Sequence, residues 1–285
     1  MTSGADNPRP IDPLPAARGG AWFMESLALL RRQTSRLLFI AILMQLVLGL
    51  VQVPVLGILV VLSVPGLTAG ILEAFHVTAR GGAPAMRVLF LPLAIGNRRG
   101  RLFALGALVF VVGIVCVSLL LGSTVAGLDE ATLMRLQQGD MNALAEVDPL
   151  FITRLLAAFA ISVAISGTLT FFSVPLVWFR DRPFWPALSA GLGGLLRHWK
   201  ALLVLGLVLA AASLPFALLV GLLLQLAVAG GVAAFIATGL VMVLLLLFQL
   251  LLFGTQYCAF RDIFGFAASA PPPTAADGGD GQLVA

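Results

Sequence analysis

The chain has 285 residues, of which 60% are apolar and only 11% charged, and its mean hydropathy is +1.06. Soluble domains carry about 25% charged residues, so this composition excludes an ordinary soluble enzyme and a disordered polar chain and points to a polytopic membrane protein. The net charge of +4 is distributed as membrane topology, not as a nucleic-acid face, and two cysteines, Cys116 and Cys258, sit in apolar runs as small hydrophobes with no metal or redox spacing.

Residues 1–20 hold Pro8, Pro10, Pro13 and Pro15 and several charges. They lack the apolar core of a signal peptide and read as a disordered cytoplasmic N-terminus. The Ala-, Pro-, Gly- and Asp-rich residues 267–285 read as a disordered tail. Between them, residues 21–266 form a membrane domain.

Four runs are free of charge: Leu37–Leu72, Leu102–Leu128, Leu155–Phe179 and Ala201–Phe260. A spanning helix needs about 20 apolar residues. The second and third runs fit one helix each. The fourth holds two, broken near Gly230-Gly231. The first is either one long helix or two short ones hinged at Gln52-Val53-Pro54.

Charge placement decides the first run. Basic residues gather in cytoplasmic loops. If Leu37–Leu72 crosses twice, Arg31, Arg32 and Arg36 share a side with Arg80, Arg87, Arg98, Arg99 and Arg101, with Arg180, Arg182, Arg197 and Lys200, and with Arg261. All but Arg135 and Arg154 of the 17 basic residues then lie inside. The outer loop 129–153 is acidic, with Asp129, Glu130, Asp140, Glu146 and Asp148. The expected spans are 37–53, 55–77, 102–123, 155–178, 201–221 and 232–258, with both termini cytoplasmic. The basic inner face suits anionic lipid headgroups.

A unit repeats three times: a semi-polar segment closing in basic residues, a span, an outer turn and a second span. The leading segments are Trp22–Arg36, Pro84–Arg101 and Phe184–Lys200. In the third, Trp185, Leu188, Leu192, Leu195 and Trp199 recur at helical spacing, the pattern of a helix lying in the interface. Trp22, Phe23, Leu27, Leu30 and Leu37 mark the first, whereas Pro92 and Gly96 interrupt the second. The expected fold is all-α and polytopic: six transmembrane helices as three hairpins, each preceded by an interfacial amphipathic segment. Trp22, Trp178, Trp185, Trp199 and Tyr257 read as an aromatic belt. Arg180 and Arg261 close spans four and six as Phe-Arg-Asp strings, where a cation complements the helix C-terminus and the Asp is expected to fold back on the Arg.

The hairpin string Pro54-Val55-Leu56-Gly57, the second-span string Ser63-Val64-Pro65-Gly66-Leu67-Thr68-Ala69-Gly70 and the closing Tyr257-Cys258-Ala259-Phe260-Arg261-Asp262-Ile263-Phe264 carry a resemblance. Over residues 20–265 the chain resembles a family of uncharacterised six-span proteobacterial inner-membrane proteins, known by a locus-tag name. It is more distantly similar to the membrane domain beside some glycerophosphodiester phosphodiesterases. The resemblance implies a six-span fold in a bacterial inner membrane. It implies no catalytic residue, and the soluble phosphodiesterase domain is missing from this sequence.

Glu73-Ala74-Phe75-His76 is the most chemical string. Glu-x-x-His is half of a di-iron bundle motif, but such sites need a second copy and further glutamates. The other histidine, His198, has no such glutamate, so no metal is assigned. An ionisable pair within a span also suits proton coupling. The plainer reading is a polar Glu73–His76–Arg80 face at the end of the second span. Pro65 and Pro175 follow Ser-Val in spans two and four and kink those helices, as in broken transporter helices or in ordinary kinked packing. Gln45, Gln52, Gln225, Gln249 and Gln256 read as interhelical hydrogen-bonders, with the lining of a substrate path as the alternative, and Gly66/Gly70 and Gly106/Gly113 as points of close approach. No phosphate loop, nucleophile elbow or paired carboxylates are present, and no cofactor is implied.

The sequence therefore points to a non-catalytic scaffold or assembly protein of the envelope, working through the bilayer, anionic headgroups and either a membrane-protein partner or a second copy of itself. The alternative is a transporter of small solutes or lipids built on Glu73, His76, Pro65 and Pro175.

Overall fold

A computed structural model describes residues 13–126, 134, 135, 138, 150–228 and 230–266. Among the described residues the chain is helical, with no strand. The elements are α1 (Arg18–Arg32), α2 (Thr34–Gly49), α3 (Pro54–Ala79), the one-turn α4 (Leu91–Ala94), α5 (Gly96–Ala126), α6 (Leu150–Arg180), α7 (Phe184–Arg197), α8 (Trp199–Val228) and α9 (Gly231–Ile263). Six of them, α2, α3, α5, α6, α8 and α9, are long and apolar enough to cross a membrane. The protein is therefore an all-α polytopic chain.

The turns follow from backbone chemistry. After α2 a single 3-10 turn, Leu50–Gln52, leads to an extended Val53, and Pro54 opens α3. Proline disfavours helix at the residue before it and is tolerated in a first helical turn. Gly230 and Gly231 both have positive φ, 80° and 66°. Two successive residues in that region require glycine, and the chain restarts there as α9. The leading segment 84–101 folds as the 3-10 turn Met86–Phe90 followed by α4. α1 begins at Arg18, so it takes in the last residues of the stretch expected to be disordered. Residues 1–12, the tail 267–285 and most of loop 129–153 lie outside the described residues.

The chain divides into two compact units. One comprises the residues up to Leu43, Ile71–Leu89 and Lys200 onward; the other comprises Met44–Gly70 and Phe90–Trp199. In the first, α1 packs on α9. Trp22, Ser26, Leu29 and Leu30 belong to its buried face, and a Cβ at Gly254 of α9 would collide with the Ser26 side chain and the Phe75 ring. In the second unit α5 packs on α6, and α6 on α7. A Cβ at Gly106 of α5 would strike the Leu62 carbonyl of α3, the close approach that small residues allow within membranes.

α7 has two faces. Ala187 and Gly191 are buried, with Gly191 set against Ser173 of α6. Trp185, Leu192 and Leu196 are exposed on its other side. Along α8, Leu203, Leu207, Leu214 and Leu218 are likewise exposed. Exposed apolar surface on this scale belongs in lipid, not in water.

Candidate functional site

Two polar clusters sit at helix ends, one in each unit. In the first unit, Asp262 at the end of α9 accepts hydrogen bonds from Arg18 Nε at 2.8 Å and Trp22 Nε1 at 2.9 Å. Glu25, two turns along α1 from Arg18, spreads its carboxylate between two cations. One oxygen lies 3.3 Å from Arg18 Nη2, and the other accepts from Arg261 Nη2 at 2.5 Å. The charges alternate as Asp262, Arg18, Glu25, Arg261. The Asp262 hydrogen bond raises the Arg18 guanidinium above its ordinary pKa; partial burial opposes this, and the charges of Asp262 and Glu25 reinforce it. Ser26 completes the seam by donating to the Leu251 carbonyl at 3.0 Å.

Beside this seam, His76 Nδ1 of α3 lies 3.0 Å from the Tyr257 hydroxyl of α9, and the His76 ring packs on Phe266. Which group donates depends on the imidazole tautomer. Glu73 is one helical turn before His76 and half-buried. Among the described residues no three His, Cys, Asp or Glu side chains are grouped to hold a metal ion.

In the second unit, Asp181 follows α6 with φ of 51°, a left-handed conformation that a short polar side chain tolerates. Its carboxylate accepts from Arg101 Nη1 at 2.9 Å and from Arg98 Nε at 3.3 Å. Arg98 Nη1 also donates to the Trp178 carbonyl at 2.8 Å, with its guanidinium 5.3 Å from the centre of the Trp178 ring. The first two turns of α5 thus supply cations to the C-terminus of α6, where carbonyls lack helical partners.

Both aspartates of the Phe-Arg-Asp strings were expected to fold back on the preceding arginine. Neither does so in its described contacts: Asp262 reaches Arg18, and Asp181 reaches Arg98 and Arg101. An arginine next in sequence on a helix points away from its neighbour, whereas the cations of another helix are within reach. Arg261 turns to Glu25, and Arg180 is exposed. The aromatic belt also divides. Trp185 and Trp199 are 73% and 55% exposed, as an anchor requires, but Trp22, Trp178 and Tyr257 are 0%, 4% and 0% exposed and are enclosed by protein. Arg18, Glu25, Arg98 and Arg101 are the cluster members that sequence reasoning did not single out as site residues, and Tyr257 was read only as a belt residue. The one available signal was the pair of aspartates.

Pro65 and Pro175 are buried inside α3 and α6, both in the second unit, and so are not in the unit that holds Glu73 and His76. Each follows a Ser-Val pair whose hydroxyl turns back on its own helix: Ser63 donates to the Val60 carbonyl at 2.8 Å, and Ser173 to the Leu169 carbonyl at 2.6 Å. Such back-bonding favours helix bending. A third example, missed in the sequence, is Pro215 within α8, where Ser213 donates to the Ala210 carbonyl at 2.8 Å. An open groove of about 500 Å³ runs along α5 and α6, walled by Val109, Phe110, Ile114, Leu155 and Phe159 with the Ser162 hydroxyl.

Fold and clusters together define a multi-pass α-helical membrane protein with an ion-pair cluster at helix ends in each unit. No protein-family model, curated protein or solved structure matches the chain.

Proposed function

We propose that the protein is a component of a bacterial inner membrane, with both termini in the cytoplasm, that acts without catalysis as a scaffold or assembly factor. The use of its charges carries this reading. Asp262, Arg18, Glu25 and Arg261 in one unit, and Asp181, Arg98 and Arg101 in the other, are spent on holding helix ends. The exposed stripe of α7, Trp185 with Leu192 and Leu196, then supplies a surface for a partner's membrane helix or a second copy of the chain. Flanking Arg182 and Arg197 suit anionic headgroups. The distribution of basic residues supports the orientation, and the resemblance of the hairpin motifs to six-span inner-membrane proteins supports the compartment.

The test is isolation from native membrane patches without detergent exchange. A protein retained in near-stoichiometric amount, and lost on the triple change Trp185→Ser, Leu192→Ser and Leu196→Ser, is the expected result. Retention of only one small molecule or one enriched lipid would overturn it.

A second reading is transport of a small solute or lipid, with Glu73 and His76 as the coupling pair. The observation that favours it is the His76–Tyr257 contact between two spanning helices, since ionisable groups at such places are functional suspects.

A further inference from the structure

A pocket of about 280 Å³ lies in the first unit, where the start of α2 meets the segment that follows α3. Its lining is Arg36 and Phe39, one helical turn apart on α2, with Ala83, Pro84, Ala85 and Met86. Pro84 is buried, while Arg36, Phe39 and Met86 are exposed. Arg36 is the third residue of the first spanning helix, which places its guanidinium at the headgroup level when that helix crosses a bilayer. Phe39, a turn deeper, is at the edge of the hydrocarbon.

The basic residues of the two clusters described above are committed to carboxylates. Among the described residues no carboxylate pairs with Arg36, and Arg36, Arg32 and Arg87, the last two close in sequence to the two walls, are exposed. We infer that this pocket binds an anionic glycerophospholipid. Arg36 takes the phosphate through its planar donor fork, Arg32 and Arg87 add favourable potential, and Phe39 and Met86 receive the upper part of an acyl chain. A phosphodiester is the shared chemistry of a headgroup and a free phosphate. The two apolar residues favour the lipid, since a free ion gains nothing from them. The inference stands apart from the scaffold reading and does not need a protein partner.

The full-length chain would be placed in phosphatidylcholine nanodiscs containing a small fraction of phosphatidylglycerol with a photoactivatable group high on its acyl chain. Adducts would be mapped by mass spectrometry. Adducts at Phe39 and Met86 are expected. Arg36→Gln should reduce them about fivefold, the effect of one basic residue at a membrane surface, and Arg36→Lys should retain most of the labelling. Adducts at Leu203, exposed one turn into α8, should be unchanged in every variant and report that the protein remains folded. Undiminished labelling in Arg36→Gln would overturn the inference. Equal labelling by a phosphatidylcholine probe, or loss of labelling with millimolar inorganic phosphate, would do the same.

Discussion

The Asp262 carboxylate lies 2.8 Å from the guanidinium of Arg18, 244 positions earlier in the chain. The contact closes α1 onto the last helix and is shared with the Trp22 indole. Both partners are partly exposed, so solvent screens the pair and its worth lies between a surface ion pair and a buried charged hydrogen bond. Asp262→Asn should lower stability by about 1–2 kcal/mol. In a double-mutant cycle with Arg18→Ala, the coupling should be about 1 kcal/mol. Reversible SDS titration in mixed micelles measures both quantities. Additive single changes would show that the pair holds nothing.

Trp22 and Trp185 are alike in sequence, each apolar, near a span and near arginines, yet one is enclosed and the other bare. Brominated lipids should quench the fluorescence of Trp185 and Trp199 strongly and that of Trp22 and Trp178 weakly, read in variants that keep one tryptophan each. Trp22→Ala should cost about 3–5 kcal/mol by cavity formation, whereas Trp185→Ala should stay within about 0.5 kcal/mol. Strong quenching of Trp22 would mean that α1 does not rest on α9 in the membrane.

That contrast marks what the sequence could tell. The six long helices were legible because a bilayer imposes a minimum length of apolar chain, which charge-free runs display without reference to any other segment. The turns at Val53-Pro54 and Gly230-Gly231 were legible because proline and glycine act on the local backbone. The partners of Asp181 and Asp262 were not legible, since no local pattern states which distant arginine a carboxylate will meet. The seam side of α7 was hidden for a related reason. Membrane helices pack through small residues, so Ala187 and Gly191 are inward, and the bulky stripe that dominates the pattern faces out.

Gly106 and Gly122 test that packing rule on one helix. A Cβ at Gly106 would meet the Leu62 carbonyl, while a Cβ at Gly122 meets nothing. Gly106→Ala should destabilise by about 1–3 kcal/mol through overpacking. Gly122→Ala should be neutral or stabilising by up to about 1 kcal/mol from helix propensity. Equal effects in the SDS titration would indicate that α3 and α5 are not in contact at Leu62.

Orientation can be read by thiol labelling, because Cys116 and Cys258 are both buried and give little background. Cysteines placed at Arg87 and Arg197 should be shielded from a membrane-impermeant maleimide added to spheroplasts and react after lysis. A cysteine at Met134, which is 61% exposed, should react from outside. The reverse pattern would invert the proposed topology and move the Arg36 pocket to the outer leaflet.

The His76–Tyr257 contact separates the two functional readings. Tyr257 is fully buried, so Tyr257→Phe removes the hydroxyl that His76 Nδ1 meets and leaves a ring nitrogen short of one partner. The expected cost is about 1 kcal/mol, with the ring packing retained. If the contact is structural, as the scaffold reading requires, proteoliposomes carrying a pH-sensitive dye should show the same proton leak with the native chain, Tyr257→Phe and Glu73→Gln, and all three should match empty vesicles. If it couples transport, the native chain should conduct under a membrane potential, and Glu73→Gln should abolish that flux while the protein remains inserted. Loss of flux together with unchanged unfolding in SDS would displace the scaffold reading in favour of transport, because a purely structural contact cannot alter flux without altering stability.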